Sequence, residues 1–108
     1  MPENDSLENT MAVVDEFTRE RDWEQFHTVK NLMSSISIEA SELMDIFKWD
    51  SNDESEKKMT VDISRQDAID ELADVIIYSI AFANKNGIDI SCLLYTSDAA
   101  DDTPCVDL

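Results

Sequence analysis

The sequence predicts an all-α protein, and three observations lead to this fold class. Apolar residues recur every three or four positions, as in Leu7, Met11, Val14 and Phe17, which is the period of one face of an α-helix. The alternation of apolar and polar residues that marks a half-buried β-strand does not occur over any useful length. The chain contains one glycine and two prolines, so helix breakers are rare and we expect long or moderate helices.

Two helices are predicted in the N-terminal half of the chain. The first begins after Ser6 and reaches about Arg21. Residues 22–31 have no clean period but gather two aromatic residues, the only histidine and a lysine, so we interpret them as a loop or broken helix with binding-type chemistry. The second helix runs from roughly Lys30 to Trp49, is amphipathic, and contains no glycine or proline.

The C-terminal half is predicted to contain a long third helix. Residues 50–62 are rich in polar turn formers, which indicates a solvated and mobile connection. Ser64 and Asp67 have the spacing of a capping box that would start the helix, and Gly87 suits the position that follows its end. About 22 residues give a length of roughly 33 Å, and residues 88–90 begin a possible fourth helix. Apolar surface left over on the third helix suggests half of a four-helix bundle, completed by a second chain.

Charge and length restrict the function of the chain. It has 25 acidic and 8 basic residues, a formal charge of -17, which argues against polymeric nucleic acid or an anionic membrane as partner. A phosphate ligand must therefore arrive with a cation. No apolar run approaches the ~20 residues of a membrane span, and the N-terminus lacks the features of a signal peptide, so we expect a cytoplasmic protein. A domain of 108 residues is marginal as a compact monomer, which favours self-association.

Two pairs of carboxylates stand out on the second and third helices. Glu39 and Glu42 form an E-x-x-E motif, and Glu71 and Asp74 form an E-x-x-D motif. Residues three apart project from nearly the same face of a helix. No Lys or Arg lies three or four residues from any of the four, and Glu39 falls within the apolar stripe of residues 32–46, where burial is expected. An unpaired ionised group in an apolar seam is unstable or shifts its pKa, so the four need a counter-charge.

A divalent cation is the simplest source of that counter-charge. Hard carboxylate oxygens without neighbouring Cys or His favour Mg²⁺, with Mn²⁺ as the usual substitute. The competing interpretation is a solvated acidic face in a very acidic protein. A di-iron carboxylate bundle would need E-x-x-H pairs, and because His27 lies in no such pair, we set that class aside.

The order of these motifs resembles that of the MazG-like all-α nucleoside triphosphate pyrophosphohydrolases, in particular their dCTP pyrophosphatase branch. The resemblance covers about residues 7–93 and is carried by R-D-W-E-Q-F-H at residues 21–27, K-N-L at 30–32, E-A-S-E-L at 39–43, F-K-W at 47–49 and D-E-L-A-D-V-I-I-Y at 70–78. A single E-x-x-E motif is common on solvated helices, whereas the ordered set is specific.

The resemblance implies a helical bundle that forms a homodimer or homotetramer. It implies hydrolysis of a (deoxy)nucleoside triphosphate, dCTP or a modified dCTP, to the monophosphate and pyrophosphate, a reaction that cleans the nucleotide pool. The implied magnesium ligands are Glu39, Glu42, Glu71 and Asp74, with Glu39 or Glu42 also orienting or deprotonating the attacking water. The implied base and sugar contacts are Trp23, Glu24, Gln25, Phe26, His27, Trp49 and Tyr78.

Several of these residues also have structural interpretations. Trp23 and Trp49 could pack in a core or an interface, His27 could be a hydrogen-bonded structural histidine, and Tyr78 could be buried. Lys30 either lies along the second helix with its charge in water or contacts a phosphate, and we favour the phosphate.

The sequence departs from the family pattern in two places. A family histidine nine residues before the motif tryptophan corresponds to Val14, so one base contact differs. The family normally continues past Ile90 into a helix that meets the phosphates, whereas residues from about 95 resemble translated read-through of a sequencing adaptor. We therefore expect a C-terminally truncated domain at residues 1–94 and a non-native or disordered tail at 95–108. The alternative functions are a non-enzymatic helical interaction module and an inactive, truncated family member.

Overall fold

The computed structural model describes residues 6–96, and the regular elements in this range are helical, which confirms the all-α class. The elements are α1 (Leu7–Glu20), a 3-10 helix (Trp23–Phe26), α2 (Val29–Asp45), α3 (Asn52–Lys58), α4 (Asp62–Lys85) and α5 (Ile90–Thr96). Within these residues no helix is both long enough and apolar enough to cross a membrane. The predicted tail lies outside the described residues from residue 97 onward.

The core lies where α1 and α2 meet α4. Leu32 of α2 is 1% exposed and packs with Val14 of α1 and with Ile80 and Ala81 of α4. The side-chain amide of Asn84 on α4 donates to a backbone carbonyl of α1 at 2.9 Å, which joins the same two helices by a polar contact. Because α2 packs along α4, the carboxylates of these two helices lie side by side.

The start of α1 and the end of α4 agree with the predicted boundaries. Ser6 is the N-cap of α1, and its hydroxyl accepts from the Asn9 amide at 3.1 Å. Gly87 has a φ of 64° directly after the C-cap Asn86, the left-handed conformation that favours glycine beyond a helix end. The second helix is shorter than predicted, because α2 ends at Asp45 and residues 46–49 form turns.

Residues 50–62, predicted as a connection of turn formers without a helix, contain α3, so that part of the prediction is wrong. Ser51 and Glu54 form a reciprocal capping box: the Ser51 amide donates to Glu54 Oε1 at 3.1 Å, and the Glu54 amide donates to Ser51 Oγ at 3.2 Å. The Ser51 backbone and then its hydroxyl lower the pKa of Glu54. Acidic residues in the first turn and lysines in the last match the helix dipole, so a strongly polar segment still forms a helix.

The predicted capping box at Ser64 is also wrong. Helix α4 begins at Asp62, and its N-cap, Val61, has no side-chain capping bond. The Ser64 hydroxyl instead donates to the carbonyl of Lys58 at 2.6 Å and to that of Val61 at 3.2 Å. This hydroxyl therefore joins the first turn of α4 to the end of α3.

The segment before α2 is a broken helix, as predicted. Asp22 adopts a left-handed conformation with φ 55° and ψ 35°, and the 3-10 helix starts at the next residue, Trp23. The Gln25 side chain donates to the Asp22 carbonyl at 3.0 Å and to its carboxylate at 3.2 Å. These bonds stabilise the left-handed turn between α1 and the 3-10 helix.

Candidate metal centre and adjoining cleft

Three carboxylates converge between α2 and α4. Glu39, Glu42 and Glu71 each place an oxygen within 4.8 Å of the oxygens of the other two, and we call this set the acidic group. Glu39 and Glu71 are half-buried, whereas Glu42 is exposed. The arrangement follows from two facts: Glu39 and Glu42 share one face of α2, and α4 packs along that helix.

Asp74, the fourth predicted ligand, lies beside the acidic group and outside the set of three. It follows Glu71 by three residues on α4 and is half-buried. Its negative charge contributes to raising the pKa of both Glu39 and Glu71. The structure therefore places Asp74 near the three carboxylates without bringing it into the same close contact.

The acidic group is electrostatically unfavourable as it stands. Contact with the Glu71 carboxyl, followed by burial and by the charges of Glu42 and Asp74, raises the pKa of Glu39 from 4.5 to about 7. For Glu71, contact with Glu39 acts to lower the pKa, but burial and the neighbouring charges outweigh it, so the pKa is raised. One proton shared between two like-charged groups relieves part of their repulsion.

The donor set fits a hard divalent cation. The Oε2 atoms of Glu39 and Glu71 are buried and have no hydrogen-bond partner. None of the ion pairs found among the described residues involves a member of the acidic group or Asp74. Buried carboxylate oxygens without a positive partner are costly, and several oxygens converging at this spacing are the ligands that Mg²⁺ prefers.

We expect magnesium to raise the stability of the folded protein more at about pH 8 than at about pH 5.5. At the lower pH, magnesium binding must displace the proton that the Glu39 carboxyl holds. Without an ion, the raised pKa means that folded Glu39 keeps a proton between about pH 4.5 and 7 that the unfolded chain has released. The free energy of unfolding of the ion-free protein therefore falls as the pH rises through this window. Differential scanning calorimetry with MgCl2 or EDTA at both pH values measures the effect.

The variant Glu39→Gln is the control for this prediction. It cannot ionise, so the pH dependence that Glu39 contributes between about pH 4.5 and 7 should disappear without magnesium. Equal magnesium-induced shifts in Tm of the wild-type protein at the two pH values would contradict the prediction.

A cleft of about 460 Å³ adjoins the acidic group. Its lining is aromatic and polar: Trp23, Phe26, His27, Asn31, Ser34, Ser35 and Tyr78. Ser35 lies four residues before Glu39 on α2, and Tyr78 lies four residues after Asp74 on α4, a rise of about 6 Å in each helix. The cleft and the acidic group therefore occupy successive turns of the same two antiparallel helices.

Four of the eight predicted substrate contacts line this cleft: Trp23, Phe26, His27 and Tyr78. The rings of His27 and Tyr78 meet edge to face, with 6.4 Å between centroids. The Trp23 ring packs edge-on against Phe17, with 5.4 Å between centroids, but remains 44% exposed. The Arg21 guanidinium lies 6.0 Å from the centroid of the same ring. Within one chain Trp23 is therefore a partly exposed residue at the edge of the cleft and not a core residue.

The other four predicted contacts lie outside the lining of the cleft. Glu24 pairs with Arg19 at 3.3 Å and faces a separate cavity of about 250 Å³ that His27 also lines. Gln25 is bonded to the preceding turn, and Lys30 is exposed at the start of α2. Trp49 is 86% exposed in the turns after α2, and its ring lies 5.4 Å from the Lys48 ammonium.

Three polar residues of the cleft were missed as contacts by sequence reasoning: Asn31, Ser34 and Ser35. A signal was present, because Ser35 is four residues from Glu39 and Asn31 is four residues from Ser35 on one face of α2. The Asn31 side chain also donates to the carbonyl of Phe26 at 3.0 Å, which fixes the end of the 3-10 helix against α2.

Known proteins similar to this chain include dCTP pyrophosphatases and an archaeal pyrophosphatase. The model of the MazG-like family matches residues 34–104. Mouse (Mus musculus) dCTP pyrophosphatase 1 is 36% identical over 85 residues, and the human (Homo sapiens) protein of the same name is 35% identical over 85 residues. Each of these alignments covers 79% of this chain and 50% of the relative, so the chain spans about half the length of the curated relatives it matches.

A solved structure shows the same fold. A pyrophosphatase from Archaeoglobus fulgidus DSM 4304 superposes with a TM-score of 0.75 at 33% sequence identity, covering 84% of this chain and 83% of that one. The similarity therefore extends over most of both chains.

Proposed function

This chain belongs to the MazG-like family, and from that premise we propose that it hydrolyses a nucleoside triphosphate to the monophosphate and pyrophosphate. One observation carries the proposal: an acidic group with buried, unpartnered oxygens adjoins a cleft lined by aromatic and hydroxyl side chains. This combination suits a ligand with an aromatic base at one end and several phosphate charges at the other.

The proposed cofactor is Mg²⁺, with Mn²⁺ as a substitute. Glu39, Glu42 and Glu71 would hold the ion, and Asp74 would be the fourth carboxylate, because the first three converge and the last lies beside them. When bound, Mg²⁺ supplies the positive charge that a triphosphate requires and makes a bound water more acidic. The unpartnered oxygens of Glu39 and Glu71 are the structural support for this assignment.

The carboxylates would also direct the reaction. Glu39 or Glu42 orients the attacking water and accepts its proton as the water oxygen attacks the α-phosphorus. The bond from the α-phosphorus to its bridging oxygen breaks, and pyrophosphate leaves. Glu42 is exposed and can meet a water directly, whereas half-buried Glu39 lies against Glu71, and both remain candidates for the base.

We propose dCTP or a modified dCTP as substrate, following the relatives named dCTP pyrophosphatase 1. The cleft falls within the usual range of roughly 300 to 1,000 Å³ for small-molecule sites. Trp23 and Phe26 offer ring faces for stacking, and Asn31 and Ser35 offer hydrogen bonds to a base or sugar. A cytoplasmic location and a role in cleaning the nucleotide pool belong to the same proposal.

The direct test is the identity of the released phosphate product. The protein is incubated with each common dNTP and MgCl2, and ³¹P NMR follows the products. We expect pyrophosphate and the monophosphate, with dCTP consumed fastest. Orthophosphate as the first product would contradict attack at the α-phosphorus, and no turnover of any nucleotide would favour the inactive truncated form.

Self-association is proposed through an apolar stripe on α4. Ile69, Leu72 and Ile76 recur at helical spacing and are 41%, 48% and 46% exposed. Large aliphatic residues in one exposed row are typical of a protein interface. We propose that this stripe pairs with a second copy of the chain, giving a homodimer or homotetramer.

Charged substitutions in the stripe should produce monomers. We expect the double variant Leu72→Glu and Ile76→Glu to elute as a monomer in size-exclusion chromatography with light scattering, because burying two carboxylates in an apolar interface is strongly unfavourable. Ile63→Glu is the matched control, since Ile63 lies on the same helix but off the stripe and is 77% exposed. An unchanged oligomer in the double variant would place the interface elsewhere.

A further inference from the structure

Glu42 lies near the C-terminal end of its helix. It is in the last turn of α2, which ends at Asp45, whereas Glu39 lies one turn further inside. Helix ends fray because their last carbonyls have no partner within the helix. The last turn of α2 contains no basic residue. The Ile46 amide donates to the carbonyl of Leu43, three residues earlier, at 3.3 Å, which is the bonding pattern of a 3-10 turn and not of an α-helix. The position of Glu42 therefore depends on what holds this helix end.

Lys58, the last residue of α3, supplies a cation at the end of α2, whose last turn contains no basic residue. Its ammonium donates to the Ile46 carbonyl at 2.5 Å and lies 3.0 Å from Asp50 Oδ2. A cation at a helix C-terminus satisfies a free carbonyl and complements the helix dipole. The Asp50 side chain is 10% exposed, so its nearly buried charge depends on the same ammonium. The two contacts together keep the Lys58 side chain against the end of α2.

The backbone of Lys58 contacts the start of α4, while its side chain contacts the end of α2. Its carbonyl accepts the Ser64 hydroxyl at 2.6 Å and the Val61 amide at 3.3 Å. Ser64 lies in the first turn of α4, and Glu71 follows seven residues later on that helix. One residue thus links the end of α2 to the start of α4, the two helices that carry the acidic group.

We propose that Lys58 is a positioning residue for the metal centre: by capping the last turn of α2, it holds Glu42 close to Glu39 and Glu71. This inference rests on the proposed function, because it assumes that the acidic group binds a divalent cation. The Lys58 ammonium acts on the site through the end of α2. Its loss should therefore weaken cation binding without removing a ligand.

The test is the affinity for the metal alone, measured by isothermal titration calorimetry with MgCl2. Lys58→Met keeps the length of the aliphatic side chain and removes the ammonium, and we expect its Kd for Mg²⁺ to rise about 10- to 100-fold, as for other residues that orient metal ligands. Lys57→Met, at the exposed neighbouring position, should leave the Kd unchanged. Lys58→Arg retains a cation at the helix end and should recover most of the affinity.

A spectroscopic measurement separates positioning from general loss of stability. Trp49 lies in the turn between Ile46 and Asp50, the two residues that Lys58 contacts. In protein labelled with 5-fluorotryptophan, we expect Lys58→Met to narrow the ¹⁹F resonance of Trp49 and to leave that of Trp23 unchanged. If Lys58→Met does not fold, Asp50→Asn combined with Lys58→Met removes both charges and should show the same loss of affinity.

The possible outcomes distinguish this inference from the function on which it rests. An unchanged Kd in Lys58→Met, with normal binding by the wild-type protein, would overturn the role of Lys58 and leave the proposed function standing. A Trp49 resonance that Lys58→Met does not affect would also overturn it. If the wild-type protein binds neither Mg²⁺ nor Mn²⁺, the metal centre itself fails, and the inference fails with it.

Discussion

Replacement of Glu42 by Gln is expected to lower the rate of nucleotide hydrolysis by at least about a hundredfold while leaving the fold intact. The substitution keeps the size of the side chain and removes one negative charge from the acidic group. Because Glu42 is exposed, the amide causes no packing defect. The expected loss of activity is therefore due to weaker cation binding or to weaker activation of the attacking water. A coupled assay for pyrophosphate, with circular dichroism to check the helices, measures both consequences.

The dependence on magnesium separates the two roles of Glu42. If Glu42 serves only as a ligand, a high MgCl2 concentration should restore kcat in the Gln variant. If Glu42 is also the general base, kcat stays low at saturating magnesium, and Glu39 is excluded as the sole base. Glu56→Gln, on the exposed surface of α3, is the matched control and should retain full activity. Near-normal turnover by the Glu42 variant would remove this residue from the mechanism.

Replacement of Leu32 by Ala is expected to lower the free energy of unfolding by about 2 to 5 kcal/mol, the usual range for a buried leucine. Leu32 is 1% exposed and lies at the point where α1, α2 and α4 meet. Its truncation leaves a cavity between all three helices. Small domains have a total stability of about 5 to 15 kcal/mol, so the variant should lose a large share of it.

Urea denaturation followed by circular dichroism measures the effect of the Leu32 substitution. Met44→Ala is the control, because Met44 is on the same helix but 68% exposed. Its effect should stay below about 1 kcal/mol, as at other exposed positions. A similarly small change for Leu32→Ala would show that the packing of α2 on α4 does not depend on this side chain.

The helices that sequence predicts well are those with an apolar face. The stripe through Leu7, Met11 and Val14 and the stripe through Leu32 and Ile36 mark α1 and α2, because burial against α4 requires that spacing. The convergence of Glu39 with Glu71 also follows from spacing, since two helices with acids on their facing sides bring those acids together. In both cases the residue spacing within each helix indicates which face is buried or acidic. The structure adds the fact that α2 packs against α4.

The features that sequence reasoning missed depend on competition between local interactions. Helix α3 has no apolar face, and the Ser51 and Glu54 capping box that starts it was present but was interpreted as a turn-rich connection. Ser64 was expected to accept a bond at a helix start, whereas its hydroxyl donates to Lys58. A hydroxyl can do either, and the choice depends on which carbonyl the tertiary fold places within reach.

The composition of the cleft could be predicted only in part, for a geometric reason. The W-E-Q-F-H motif identifies a binding segment, but the tight 3-10 turn sends Trp23, Phe26 and His27 into the cleft and directs Gln25 elsewhere. Trp49 was predicted as a contact because the F-K-W motif at residues 47–49 resembles the family pattern. Helix α2 ends at Asp45, and Trp49 lies in the turns that follow, 86% exposed and outside the lining of the cleft.

The left-handed conformation of Asp22 affects how mutational scans of this segment are interpreted. For most residues with a β-carbon, that conformation raises the free energy by about 1 kcal/mol or more, and Asp, Asn and Gly tolerate it best. The effect of an Asp22→Ala substitution on stability or activity would therefore combine backbone strain with the loss of the carboxylate. Asn and Gly are the informative replacements: Asn keeps a hydrogen-bonding side chain without the charge, and Gly removes the side chain while keeping the turn. Comparing the two separates the carboxylate from the turn geometry.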